Sequence, residues 1–477
     1  MRKKGSVTVF LTLILSLLLS LICASIESVR MASARTQILN GMDIGLYSLF
    51  GQYDKELLTD YDLFALDGSG GGGQLDLAAV CDELEAYMNP VLKQNSQKLT
   101  LCQSGLTGYR LLTDQKGEAF YQQIVGYMQE TLGSQGIQLL LGRMSERQEK
   151  TAQADQSANQ AQSKGSIDRY DSEMNQASEK SQQAAEEAQV VPQAPPARNP
   201  ITIMKRIMKR GVLELVLPGG NGLSTKAIEK GTLVSGRGLQ QGMEMPDGMT
   251  VENSYTSEVL FQQYLMEHLG SYAEPSSAGL AYQMEYIFGG KDSDEDNLKA
   301  VASKLLFIRE GVNFACLMAD NVKRSEAQAL ATAIASGFLV PPAAVIIEAA
   351  LILCWAFAES VLDVRELFAG GRIPLVKSSA DWQISLGNLP DLMEGLDSMR
   401  RNDEKGMSYN DYLQVLVLTV SKEKKVMRAM DMIENTIREK GRRNFCMDSC
   451  IVALEAFADV KANKKKDFQV IRQYCYE

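Results

Sequence analysis

An uncharged run from Val7 to Ile26 follows directly on Arg2, Lys3 and Lys4. As a helix rising 1.5 Å per residue, this run is about 30 Å long, the thickness of the hydrocarbon core of a bilayer. No other feature constrains the fold as strongly, because it commits the first element to lipid and leaves the remaining chain to fold beside the membrane. Three cations before the run, with Glu27 just after it, predict a cytoplasmic N-terminus and a single-pass protein with most of its chain outside the cell membrane.

Processing at this segment narrows by elimination. A secretory signal peptide needs small residues at −3 and −1 of its cut, and the best candidate site offers Ile22 and Ala24. A lipoprotein cut needs a small residue before Cys23, where Ile22 stands. Two outcomes remain: an uncleaved anchor, or cleavage on the cytoplasmic side between Gly5 and Ser6. The basic leader ending in Gly5, followed by Ser6, Val7, Thr8, Val9 and Phe10, resembles the start of type IV pilin-like proteins, especially minor pilins of the TadE/TadG kind. The resemblance implies that a membrane peptidase cuts after the glycine. Pilins carry Glu at the fifth position after that cut, where it offsets a neighbour's new amine; here the position is Phe10.

The length of 477 residues allows two or three domains, and 45% apolar content is that of a folded chain. The leader holds three of the 49 basic residues and none of the 59 acidic ones, so residues 27–477 carry a formal charge of −13. An acidic exterior argues against nucleic acid as a partner. Outside the anchor lie Cys81, Cys102, Cys316, Cys354, Cys446, Cys450 and Cys475, an odd number at irregular spacing, which is not a disulfide scaffold. Cys446 and Cys450 would lie one turn apart on a helix, but with no CxxC and one histidine, His268, buried thiols are expected rather than zinc.

Beyond the anchor, Met31, Ala34, Ile38, Met42, Leu46, Leu49 and Tyr53 recur at helical spacing, so the first helix is expected to continue outward. Residues 60–67 read as a strand, 68–73 as a glycine loop and 75–142 as helical. The stretch 144–200 turns to Gln, Ala, Ser and Glu, and reads as an exposed linker or paired solvated helices ending in a proline segment. Ile201 to Arg210 is a basic amphipathic helix, and Gly211 to Pro218 a short strand or turn. Helical spacing then dominates from 257 to 458, and 468–476 is expected to be a strand. The predicted fold is mainly α with a few short strands, in four regions: 1–26, leader and membrane helix; 27–143, helical with a stalk; 144–200, linker; 201–477, mainly helical.

Ala329 to Ala358 is long enough for a second crossing, but Pro341 and Pro342 break it. On the following helix Glu348, Ile352, Trp355, Glu359 and Asp363 share one stripe. A buried hairpin turning at the prolines is the expectation. The paired carboxylates of that stripe could serve hydrolysis, although a solvated or salt-bridged face is the commoner outcome. Asp292 to Asn297 opens like a calcium loop but lacks Gly at the sixth position and Glu at the twelfth, and reads as an acidic helix start. Residues 289–291 and 236–242 lack the spacing of nucleotide loops. His268 falls near a helix end, the place of a structural histidine. No catalytic, cofactor or metal residues are predicted.

Several stretches together resemble one uncharacterised Gram-positive family of single-pass proteins, related in context to TadE/TadG-like pilus assembly. They are Gly5 to Leu11, Tyr61 to Phe64, Tyr286 to Lys291 with Asn297 and Leu298, Trp355 to Ser360 with Asp363 and Val364, Ile373 to Lys377, and Tyr409 to Leu413. The resemblance implies topology and context: a non-enzymatic, membrane-anchored pilin-like or secretion-associated protein, beside the lipid bilayer and other pilin-like or secretion-system proteins. The alternative is an anchored binding module, an adhesin or sensor ectodomain.

Overall fold

The first helix does not end with the apolar run. In the computed structural model, α1 extends over Lys4–Phe50 as one helix. The structure describes residues 4–94, 99–164, 170–172, 174–176, 179, 199–217, 222–243, 245, 254–337, 343–378, 381–396, 406–462 and 466–476. Residues 7–30 of α1 are exposed throughout, whereas Ala34, Ile38, Met42, Leu46, Leu49 and Phe50 are buried at steps of three and four. Sequence dictates the change: the first half is apolar on every face, and the second confines apolar side chains to one stripe.

The chain divides into two compact units. The first comprises 1–127, 231–252 and 437–477, and the second 128–230 and 253–436. Neither follows the linear division at 143 and 200, since the first unit gathers segments from both ends of the chain.

In the first unit, α1 is followed by α2 (Lys55–Tyr61), capped by Asp54, and by α3 (Leu77–Lys93). The sheet is antiparallel. β3 (Cys450–Ala462) is central and pairs with β1 (Leu66–Asp67), β2 (Leu99–Leu111) and β4 (Lys466–Cys475). The packed half of α1 and the apolar stripe of α3, Val80, Leu84, Met88 and Leu92, share a core with Leu454, Ala456, Ala458, Val460 and Val470 of the sheet. The helices approach closely at Gly45, where a Cβ would fall 2.6 Å from Met88 Cγ. Arg442 binds Asp54, Glu56 and Asp67, tying the C-terminal segment to the N-terminal one.

The second unit is helical: α4 (Asp114–Lys164, whose first turns belong to the first unit), α5 (Pro200–Met208), α6 (Val212–Val216), α7 (Tyr255–His268), α8 (Gln283–Gly289), α9 (Asp294–Ala319), α10 (Asn321–Gly337), α11 (Ala344–Phe368), α12 (Tyr409–Leu418) and α13 (Lys422–Glu439, whose last turn belongs to the first unit). Helix α11 is its axis. Every residue from Ala350 to Phe368 is buried, against α5, α6, α9 and α10. A helix apolar over most of its surface must be covered, and each large apolar side chain so covered contributes about 1.5–3 kcal/mol.

This burial answers the question of a second crossing. The apolar stretch of α11 is enclosed by protein, as a hairpin requires, and α10 packs on it. Pro341 and Pro342, the expected turn, lie outside the described residues.

Several expectations are corrected. The region 75–142 is not helical throughout, because Leu99–Leu111 is a strand; its three register shifts against β3 break the period-2 pattern that would have revealed it. Helicity does not continue to 458: α13 ends at Glu439 and β3 starts at Cys450, a central strand rich in alanine that only its neighbours make extended. Residues 60–67 hold only a two-residue strand after α2, and Val212–Val216 is a short helix rather than a strand. The described start of the linker is not fully exposed, since Met144, Thr151, Ala154 and Ala158 are buried. Alanine is the cause: a Cβ on Gly311 of α9 would meet Ala158 at 2.2 Å, so backbones approach where no large side chain intervenes.

Candidate functional site

Two places stand apart chemically: the bare half of α1, and a set of charges sealed inside the second unit. In α1, Val7, Phe10, Leu13, Leu17 and Leu21 are each about 60–70% exposed. The run's polar side chains do not interrupt it, because Thr12, Ser16, Ser20 and Ser25 each donate a hydroxyl to their own helix, at 2.8–3.0 Å. Among the described residues it is one of two helices long and apolar enough to cross a membrane, and the other is α11. Gly5 and Ser6 lie in its first turn, with Phe10 one turn further.

The sealed charges belong to the carboxylate stripe of α11, which proves to be neither solvated nor open. Arg309 of α9 reaches Asp363 Oδ2 through Nε at 3.1 Å and Nη2 at 2.9 Å. Its Nη1 donates to the carbonyls of Pro374 and Leu375 at 2.9 and 2.8 Å and to Tyr412 Oη at 3.3 Å. Lys377 bridges Glu359 and Asp363, each at 2.5 Å. Asn313 donates to Asp363 at 3.0 Å and to Ser360 at 2.9 Å, and Ile384 N–H donates to Glu359 at 3.0 Å. The four ionic side chains are 0–1% exposed. Burial alone would raise the Asp363 carboxyl, but Arg309 and Lys377 outweigh it and hold the group below its usual value. Two cations and two carboxylates compensate one another, so the arrangement fixes the segment 373–384 against α9 and α11; its carboxylates are already engaged, unlike a base awaiting a proton. Glu348, the stripe's outer member, pairs instead with the half-exposed Arg324 at 3.3 Å.

The sequence reading missed Arg309, Lys377, Asn313 and Tyr412. One signal was available: Arg309 occupies the buried stripe of α9, four residues from Leu305, where an apolar side chain would be expected. Lys377 carries no such signal, since it lies in an irregular segment.

A second buried group is Glu285 of α8. Its Oε1 accepts from Tyr409 Oη at 2.6 Å and from Tyr272 N–H at 2.8 Å, while Oε2 is buried with no hydrogen-bond partner among the described residues. Burial pushes the carboxyl up to about 7 against the opposing pull of those two donors.

The remaining candidates are structural. Ser293 caps α9, and Asp294 accepts from Ala281 and Tyr282 N–H, so the acidic cluster opens a helix as expected. His268 ends α7 stacked on Tyr264, with Nδ1 3.0 Å from the Tyr264 carbonyl. Cys446 and Cys450 do not share a helix turn: a single 3-10 turn separates them, and Cys450 begins β3. A cleft of about 480 Å³ opens between α4 and the segments 374–376 and 406–407; Arg143, Glu146, Arg147 and Lys150 line its helical wall.

No curated protein and no solved structure matches the chain. One family does, over residues 192–462, a span that begins after α4 and ends with β3. That match covers more than half of the sequence, so the chain belongs to this family of unknown function, DUF5702.

Proposed function

We propose that this is a single-pass, membrane-anchored, non-enzymatic surface protein, pilin-like or associated with pilus assembly or secretion. Its N-terminus is cytoplasmic and the bulk of its chain extracellular. The observation that carries the reading is the division of α1: one continuous helix leaves a bilayer-length apolar half bare and packs its second half on an antiparallel sheet. The first half then serves lipid and neighbouring membrane helices, and the second holds the folded part at a fixed distance. The basic leader supports the orientation, and Gly5 before Ser6 supports processing.

Mass spectrometry of the mature chain tests processing: a chain starting at Ser6 is expected, and an intact Met1 overturns the pilin-type cut. Topology is tested separately with a membrane-impermeant thiol reagent, which should label the exposed Cys102 and Cys475 in intact cells. Labelling only after lysis overturns the extracellular placement. The cleft beside α4 favours a second reading, an anchored binding module for an anionic ligand, because Arg143 lines it in the exposed wall. Copurification with sheared filaments separates the two, since a binding module stays with the membrane.

A further inference from the structure

We infer that the outer edge of β4 is a docking site for an extended segment of another protein, which joins the sheet as a further strand. β4 pairs with β3 residue for residue from Cys475 opposite Ala453 to Lys466 opposite Ala462, without a bulge. Beyond it, Tyr476 N–H donates to the Val452 carbonyl at 3.1 Å. Bonded pairs alternate in an antiparallel ladder, so Phe468, Val470, Arg472 and Tyr474 spend their backbone groups on β3. Gln469, Ile471 and Gln473 therefore turn theirs outward, where no described strand pairs with them.

Edges of this kind are ordinarily blunted by bulges, proline or charge. β2, the opposite edge, has three register shifts, and Met243 bridges to its Tyr109. Between Phe468 and Cys475, β4 has neither bulge nor proline, and its one charge, Arg472, is drawn aside to Asp43 of α1 at 2.9 Å. Apolar surface flanks the edge on both sides. Ile471 is 50% exposed on the open face; on the helix side Tyr47 is 70% exposed, its ring 6.4 Å from that of Tyr474. An added strand with apolar side chains at alternate positions covers both, which fixes the chemistry of the partner.

A second copy of this chain is the obvious rival occupant, and geometry argues against it. Asp43, Tyr47 and Phe50 of α1 meet Arg472, Tyr474 and Tyr476 in turn, so α1 runs alongside β4 in the same direction. Antiparallel β4-to-β4 pairing places a two-fold axis normal to the sheet and reverses one α1 relative to the other. Two such copies could not anchor in one membrane from the same side. This step rests on the membrane-anchor reading; the open edge does not.

Hydrogen exchange on the full chain in nanodiscs tests the site, with a synthetic peptide of alternating threonine and valine as probe. In the free protein the amides of Gln469, Ile471 and Gln473 should exchange fast, and those of Val470, Arg472 and Tyr474 slowly. The peptide should slow the three outward amides roughly tenfold, and a version with a central proline should not. Ile471→Pro removes one outward N–H and should abolish the effect; Ile471→Lys, milder for folding, should do the same by charge. Slow outward amides in the free chain overturn the proposal, as does equal slowing by the proline peptide or in the Ile471→Lys variant. Slowing without peptide that grows with protein concentration assigns the edge to a second copy and overturns the chosen partner. Thiol labelling at Cys102, which lies on β2 away from this edge, is independent of all these outcomes, so failure of the edge and failure of the anchor are told apart.

Discussion

The two units bury very different things. The first packs one face of α1 and α3 on a sheet with an aliphatic core, and the ion pair that joins α1 to β4 stays wet: Arg472 and Asp43 are 40% and 53% exposed. The second places Arg309, Lys377, Glu359 and Asp363 at its centre with essentially no solvent. An aliphatic core tolerates exchange of one hydrocarbon for another at modest cost. A compensated ionic core does not, because every member is needed to neutralise the rest. The contrast teaches that the second unit's arrangement is specified by bonding, while the first unit's is specified by shape.

Breaking the ionic core should give the largest effect. Asp363→Ala leaves Arg309 and Lys377 facing a single carboxylate and should cost about 3–5 kcal/mol. Exchange protection should collapse in α9 and α11, with β3 unaffected; equal loss in both units would show that the comparison is wrong. The pH dependence has a defined sign. Because the folded Asp363 carboxyl lies below its usual value, its contribution is complete above the unfolded value and is lost as pH falls through the folded one.

Glu285 behaves in the opposite sense. Its folded value of about 7 lies above that of an unfolded glutamate, so its contribution is present below the unfolded value and disappears as pH rises through about 7. The difference is worth about 3 kcal/mol. Glu285→Gln should remove this slope from thermal melts between about pH 5 and 8. A wild-type melting temperature flat across that range would show that the carboxyl ionises freely.

Shape should decide the next effect. Gly45→Leu forces α1 away from Met88 and Leu84 and should cost about 1–3 kcal/mol in the first unit alone, read as faster exchange in α3.

These differences explain how much was legible in the sequence. The stripe from Ala34 to Leu49 announced the continuation of α1 because an aliphatic face repeats in sequence. The hairpin helix α11 was legible from its apolar run, and the Ser293 cap from its acidic turn. β2 was hidden by its bulges, and β3 by helix-favouring alanines whose strand conformation is imposed by β2 and β4. The ionic core was half visible. Glu359 and Asp363 stood out as a polar stripe, but their cations come from α9 and from an irregular segment, and only folding brings these together.

The smallest effect is the sharpest check on the comparison, because it repeats the chemistry of the ionic core in water. Arg472→Met removes an arginine from a carboxylate at 2.9 Å, a separation equal to that between Arg309 and Asp363. Both partners remain half exposed, so solvent and salt screen the pair and the freed Asp43 is rehydrated without penalty. The expected loss is below about 1 kcal/mol and should shrink further at high salt. A loss of several kcal/mol, insensitive to salt, would mean that the first unit depends on its charges as the second does, and that exposure is not what separates them.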